Sequence, residues 1–93
     1  MRTIEQASSF KRDYKREAKG QHAKALAGLL TPILQALAAD QPLASNLRDH
    51  DLINDWAGYR ECHVKPDLLL IYRKSDPDIL RLARLGSHSE LFG

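Results

Sequence analysis

The sequence holds one cysteine, Cys62, and no apolar run long enough to span a membrane. A lone thiol excludes an internal disulfide, and it cannot build a zinc site by itself. The longest apolar stretch lies in "DLLLIY" and has the length of a strand. The opening "MRTIEQASSF" lacks the apolar core of a secretion signal, so a cytoplasmic location is expected. No repeat and no low-complexity segment is visible, which argues against solenoid and disordered architectures.

What is there has the balance of a globular protein. Hydrophobic residues make up 43% and charged residues 28% of 93, which predicts one domain over residues 1–93. That length is near the lower end of what one core stabilises. A net charge of +2 is too mild to imply a nucleic-acid partner, so its distribution matters more. "KRDYKREAK" carries Lys11, Arg12, Lys15, Arg16 and Lys19. Four-residue spacing stacks Lys11, Lys15 and Lys19 along one side of a helix, beside Arg12 and Arg16. Such a ridge is either a solvated face or a surface for phosphate backbone.

The pattern along the chain predicts an α+β fold. "RTIEQA" reads as a short strand. Ser8 or Ser9 caps a helix running to about Lys19, with Gly20 as its left-handed end. A second helix presents Leu26, Leu29, Leu30, Ile33, Leu34 and Leu37 at core spacing. Pro32 predicts either a kink or a restart capped by Thr31. The two helices are expected to form an antiparallel hairpin. Residues 41–59 have no sustained period and read mostly as loop. "YRECHV", "LLLIYRK" and "ILRLARL" follow as strands, turned at "KPD" and "SDPD". Apolar residues fill Leu68–Tyr72 without alternation, so that strand should be central and covered on both faces. A helical hairpin packed on a small antiparallel sheet is the predicted architecture.

Chemistry is sought among the histidines. Taken singly, His22, His50 and His63 each have an ordinary structural reading. Together, His63 near a strand end, Asp67 in the next turn and His88 after the last strand are expected to converge, with His50 ahead of the sheet. The spacing suits a metal poorly: there is no His-x-x-x-His on a helix and no cysteine pair. Acid–base work is the better match, since imidazole titrates near neutral pH. Arg60, Lys65, Arg81 and Arg84 lie nearby in sequence and suit a phosphodiester. RNA brings its own nucleophile, the 2′-hydroxyl, so no serine or cysteine nucleophile is required. No metal or cofactor is expected.

"DHDL", "WAGYRECHVKPD", "LLLIYR" and the ending "RLGSHSELFG" closely resemble the YafQ branch of the RelE/ParE toxin superfamily, over Asp49 to Gly93. The resemblance implies the toxin half of a bacterial type II toxin–antitoxin system with a RelE-like fold. It implies a ribonuclease that cuts messenger RNA in the ribosomal A site, with the ribosome, mRNA and a DNA-binding antitoxin as partners. His50, His63, Asp67 and His88 are then the implied catalytic set. Phe92, Arg84, Lys65 and Arg60 are read as substrate contacts, and the ridge of the first helix as ribosome-binding. The family pattern has tryptophan directly after the aspartate, where this chain has Leu68. A ParE-like inhibitor of gyrase, sharing the fold without cleavage, is the alternative. The full set of titratable side chains favours the nuclease.

Overall fold

The run Leu68–Tyr72 decides the architecture, because apolar side chains alternate to both faces of a strand and both must be covered. A computed structural model describes residues 1–93, the side chain of Ser75 excepted. Its strands are β1 (Thr3–Gln6), β2 (His50–Asp51), β3 (Arg60–Lys65), β4 (Leu68–Asp76) and β5 (Ile79–Gly86). They form one sheet in the order β1-β5-β4-β3-β2, with β4 at its centre. Leu68, Leu70 and Tyr72 face the main core, with Phe10 of α1 (Ser8–Glu17) and Leu26, Leu30, Ile33 and Leu37 of α2 (Leu26–Ala38). Leu69 and Ile71 face the other way, against Ala83 and Leu91, and are overlaid by Leu52, Trp56 and Tyr59. Leu91 belongs to a short terminal helix, α3 (His88–Phe92).

Several expectations change. The sheet is mixed rather than antiparallel, because β1 pairs parallel to β5 from Thr3↔Ile79 to Gln6↔Leu82. That pairing spans nearly the whole chain, so no local signal encodes it. Each helix finds its main contacts on the sheet, α1 along β5 and α2 against β3 and β5, rather than on the other helix. Ala7 is the N-cap of α1, and the Ser9 hydroxyl instead donates to the Ala83 carbonyl at 2.8 Å. Tethering α1 to β5 has displaced capping. The helix ends at Glu17 with Ala18 still right-handed, and Gly20 takes no positive φ. Lys19 therefore lies beyond the helix. α2 runs through Pro32 without a restart, so Thr31 caps nothing. Burial of Leu26, Leu30, Ile33 and Leu37 on the sheet outweighs the bond that proline removes, which costs about 3 kcal/mol.

Candidate active site

The site is assembled on the sheet face opposite α1 and α2. His50 and Glu61 are direct partners across the β2–β3 ladder, and His63 follows Glu61 by two residues. Cross-strand partners and i,i+2 residues share a face, so all three side chains meet. Glu61 Oε2 lies 3.3 Å from His50 Nε2 and 3.6 Å from His63 Nε2, and the two imidazoles are 6.3 Å apart. His50 is held at its other nitrogen as well: Nδ1 donates to the Arg48 carbonyl at 2.7 Å. A carbonyl only accepts, so that contact fixes the proton on Nδ1 and leaves Nε2 for chemistry.

The backbone around His50 is fixed from both sides. Arg48 is left-handed (φ 53°), which turns the chain into β2. Asp49 Oδ1 accepts from Arg60 Nε at 3.2 Å and from the Tyr72 hydroxyl. Arg60 also reaches Asp51 at 2.5 Å. The hydrogen bond to Asp49 keeps the Arg60 guanidinium firmly charged. Burial, followed by the bond to Asp49, pushes the Tyr72 phenol well above its ordinary value. His50 thus sits between two aspartates anchored to β3 and β4.

The second half of the site comes from the C-terminus. Residues 88–92 form α3 behind a capping box: Ser87 Oγ accepts from the Glu90 amide at 3.2 Å, and Glu90 Oε1 accepts from the Ser87 amide at 2.8 Å. The bond from the Ser87 backbone, ahead of other causes, holds the Glu90 carboxyl below its usual range. This short helix places His88 and Phe92 one turn apart, with rings 4.9 Å between centroids. Both line a hollow of about 350 Å³ with His50, Glu61, Leu52, Asn54 and Trp56. Two imidazoles on separate supports therefore face one open space, with an aromatic ring beside them that is 38% exposed. Such a hollow suits proton transfer at two ends of a bond and stacking of a flat group.

A family model described as "Bacterial toxin of type II toxin-antitoxin system, YafQ" matches residues 2–93. The chain belongs to the YafQ toxin family. It is 37% identical over 93 residues to the mRNA interferase toxin YafQ of Escherichia coli strain B/BL21-DE3, covering 99% of this chain and 97% of that protein. The crystal structure of YafQ from that strain superposes with a TM-score of 0.83 at 34% identity, covering all of both chains. The toxin in the crystal structure of the Escherichia coli DinJ–YafQ complex does so with a TM-score of 0.81, at 34% identity and full coverage of both. The resemblance read from the second half thus extends over the helical first half.

Among the residues that the YafQ resemblance singled out, the structure joins some and separates others. His50, His88 and Phe92 share the hollow, with His63 adjoining through Glu61. Asp67 does not converge with them. Its carboxylate accepts from Gln21 at 2.6 Å and lies 3.1 Å from His22 Nε2, in a separate hollow with Arg16, Ser87 and Glu90. The turn after β3 leans toward the α1–α2 connection, which sequence order alone did not reveal. Arg84 pairs with Asp13 at 2.6 Å, and Arg60 with Asp49 and Asp51, so both guanidiniums already hold carboxylate partners within the fold. Lys65 lines a third hollow with His63, Arg48 and Asn46. Leu68, standing where the YafQ pattern has tryptophan, is wholly buried in the main core and presents nothing to a ligand.

The ridge is also redistributed. Lys11, Arg12, Lys15 and Lys19 are exposed. Arg16 instead bonds Asp13 at 3.0 Å, Glu17 at 3.0 Å, Glu90 at 3.1 Å and the Leu85 carbonyl at 2.8 Å. It ties α1 to the end of β5 and to α3.

Glu61 is the site residue that sequence reasoning missed. Its signal was available: it alternates with His63 in "YRECHV" and so shares that residue's face. Among the described residues, no group of three or more His, Cys, Asp or Glu is arranged to hold a metal. No helix is long and apolar enough to cross a membrane.

Proposed function

We propose that residues 1–93 act as a single RelE-like domain that cleaves messenger RNA on the ribosome by metal-independent acid–base catalysis. The observation that carries this reading is the pairing of His50 and His88 across one hollow, on different supports, with Phe92 beside them. The mRNA interferase name of the Escherichia coli relative supports the same substrate. His50 Nε2 takes the proton from the 2′-hydroxyl as its oxygen attacks phosphorus. The bond from phosphorus to the 5′-oxygen breaks, and His88 protonates that oxygen. The products are a 2′,3′-cyclic phosphate and a 5′-hydroxyl. His63, which adjoins His50 through Glu61, is assigned to the charge on the phosphorane. Phe92 stacks on a base.

Among the members of the implied catalytic set that could take this proton, His50, His63 and Asp67, the Nδ1 bond to Arg48 favours His50. Asp67 is assigned to closing the β3–β4 turn against Gln21 and His22, and Arg84 to the fold. α1 and α2, read as an antiparallel hairpin, carry Lys11, Arg12, Lys15 and Lys19 outward as a face for ribosomal RNA. The histidines stand in an open hollow rather than a deep basic groove. The message is therefore presented in line by the ribosome. A cognate antitoxin holds the toxin inactive in the cytoplasm, as the DinJ–YafQ complex suggests by likeness.

The test is cleavage by purified protein on ribosomes programmed with message, mapped by codon, against the same RNA free in solution. Efficient, codon-independent cutting of naked RNA overturns ribosome dependence. Intact message with inhibited gyrase favours the ParE-like alternative.

A further inference from the structure

Residues 52–56 wall the hollow that holds His50 and His88, yet none of them takes part in the proton transfers. Their loop is a preformed unit. The Leu52 amide donates to the Tyr59 carbonyl at 2.9 Å and closes residues 52–59 at the neck. Within it, Asn54 is left-handed (φ 58°) and opens a single 3₁₀ turn, Asn54–Trp56. Trp56 stands edge-on to Tyr59 with centroids 5.1 Å apart, and the Arg73 guanidinium lies 5.3 Å from the Tyr59 ring. Leu52, Trp56 and Tyr59 lie over Leu69 and Ile71. Ile53, Asn54 and Asp55 are left exposed at the hollow.

Ile53 is 75% exposed, and with Phe92 it leaves two bare apolar side chains at one hollow, on separate supports. Such a pair marks a binding surface for a flat group. Charge defines that group further. Among the described residues no lysine or arginine lines this hollow, whereas Asp55 and Glu61 do. A phosphate is repelled from the acidic wall, so the uncharged base is the part of a nucleotide that fits there. Neither the Asp55 carboxylate nor the Asn54 amide has a side-chain partner among the described residues, although Asp49 and Asp51 nearby are both held by Arg60.

A carboxylate only accepts hydrogen bonds, so it distinguishes bases by their donors. Guanine presents two adjacent donors, its ring N1–H and its 2-amino group, beside a carbonyl acceptor. Adenine and cytosine present one amino group beside a ring-nitrogen lone pair. Uracil presents one N–H between two carbonyls.

We propose that the loop of residues 52–59 is the base-reading element of the site and that it selects guanine. Ile53 and Phe92 clasp the ring, Asp55 accepts from the ring N–H and the 2-amino group, and Asn54 donates to the carbonyl. The kinetic consequence rests on the nuclease reading, whereas base binding does not need cleavage.

Two measurements on the full-length toxin separate these. On ribosomes programmed with messages that vary each A-site base in turn, cleavage should favour guanine at one codon position by roughly 10–100-fold. Asp55→Asn should erase that preference and lower the single-turnover rate at guanine by a similar factor. Ile53→Ala should lower the rate about 10-fold at every base alike, because stacking is sequence-tolerant. Both side chains are exposed, so the thermal midpoint should hold in each variant. The second measurement is titration with the nucleoside 3′-monophosphates, followed by the amide chemical shifts of residues 53–56. Guanosine monophosphate should bind tightest, and Asp55→Asn should level the dissociation constants. Cleavage without a guanine preference, or a base profile unchanged by Asp55→Asn, overturns the proposal. Ranked binding without cleavage of any message by the unsubstituted protein overturns the nuclease reading and leaves the base subsite standing. Neither cleavage nor binding overturns both.

Discussion

Asp13 of α1 and Arg84 of β5 form a partly buried ion pair at 2.6 Å, and the same Asp13 oxygen accepts the Leu85 amide at 3.0 Å. Burial alone would raise this carboxyl, but the bonds from Arg84 and Leu85, with the Arg16 charge, outweigh it and hold it below its ordinary 3.8. A folded-state value below the unfolded one stabilises above that ordinary value and is lost as pH falls through the folded one. Resistance to chemical denaturation should therefore weaken below about pH 4, and Asp13→Asn should flatten that fall. Asp13→Ala should cost about 2–4 kcal/mol, because Arg84 and the Leu85 amide lose their shared acceptor.

His88→Ala should lower the single-turnover rate on programmed ribosomes by ~10²–10⁴-fold, the effect of removing a general acid. His88 is exposed, so the thermal midpoint should hold. A substrate with a 5′-thio leaving group departs without a proton and should restore the rate. Equal defects on both substrates would move the acid to another residue.

The ridge and Arg16 should separate in one experiment. Replacing Lys11, Lys15 and Lys19 with alanine should weaken ribosome association and reduce the log–log salt slope by up to roughly 2–3, with the maximal rate kept. Arg16→Ala should instead lower the thermal midpoint, since its guanidinium holds Asp13, Glu90 and the Leu85 carbonyl. Gly86→Ala should act similarly, because a Cβ there meets the Arg16 guanidinium at 2.6 Å.

Ser87→Ala removes the acceptor of the Glu90 amide and should fray α3 at a cost of about 1 kcal/mol. His88 and Phe92 then lose their common support. Cleavage should fall while hydrogen exchange in β3–β5 stays slow. Unchanged cleavage would show that the ribosome orders this helix by itself.

Cys62 should be inert in the native state. Burial, with the Asp49 and Glu61 charges behind it, pushes the thiol up to about 12. Iodoacetamide at neutral pH should leave it unmodified until denaturant is added. Native-state reaction at the rate of a free thiol would show that β3 opens readily.

The sequence by itself determined the order of β1, the two long helices and β3–β5, the central strand and the residue types of the chemistry. Those depend on local pattern: alternation along β3, an unbroken apolar run in β4, and helical spacing of Leu26, Leu30, Ile33 and Leu37. It also marked His50, His63, His88 and Phe92. Only the tertiary structure decided which charges are spent on the fold. Arg16, Arg60 and Arg84 look alike in sequence to free cations, but each is matched to a carboxylate brought from another part of the chain. Asp67 is drawn away by Gln21 and His22 across 45 residues and more, and β1 reaches β5 by a pairing no local period records. Glu61 became part of the site because the β2–β3 register set it opposite His50. Register is a relation between strands, and a shift of one residue between β2 and β3 would have set His50 opposite a neighbour of Glu61 that points to the other face.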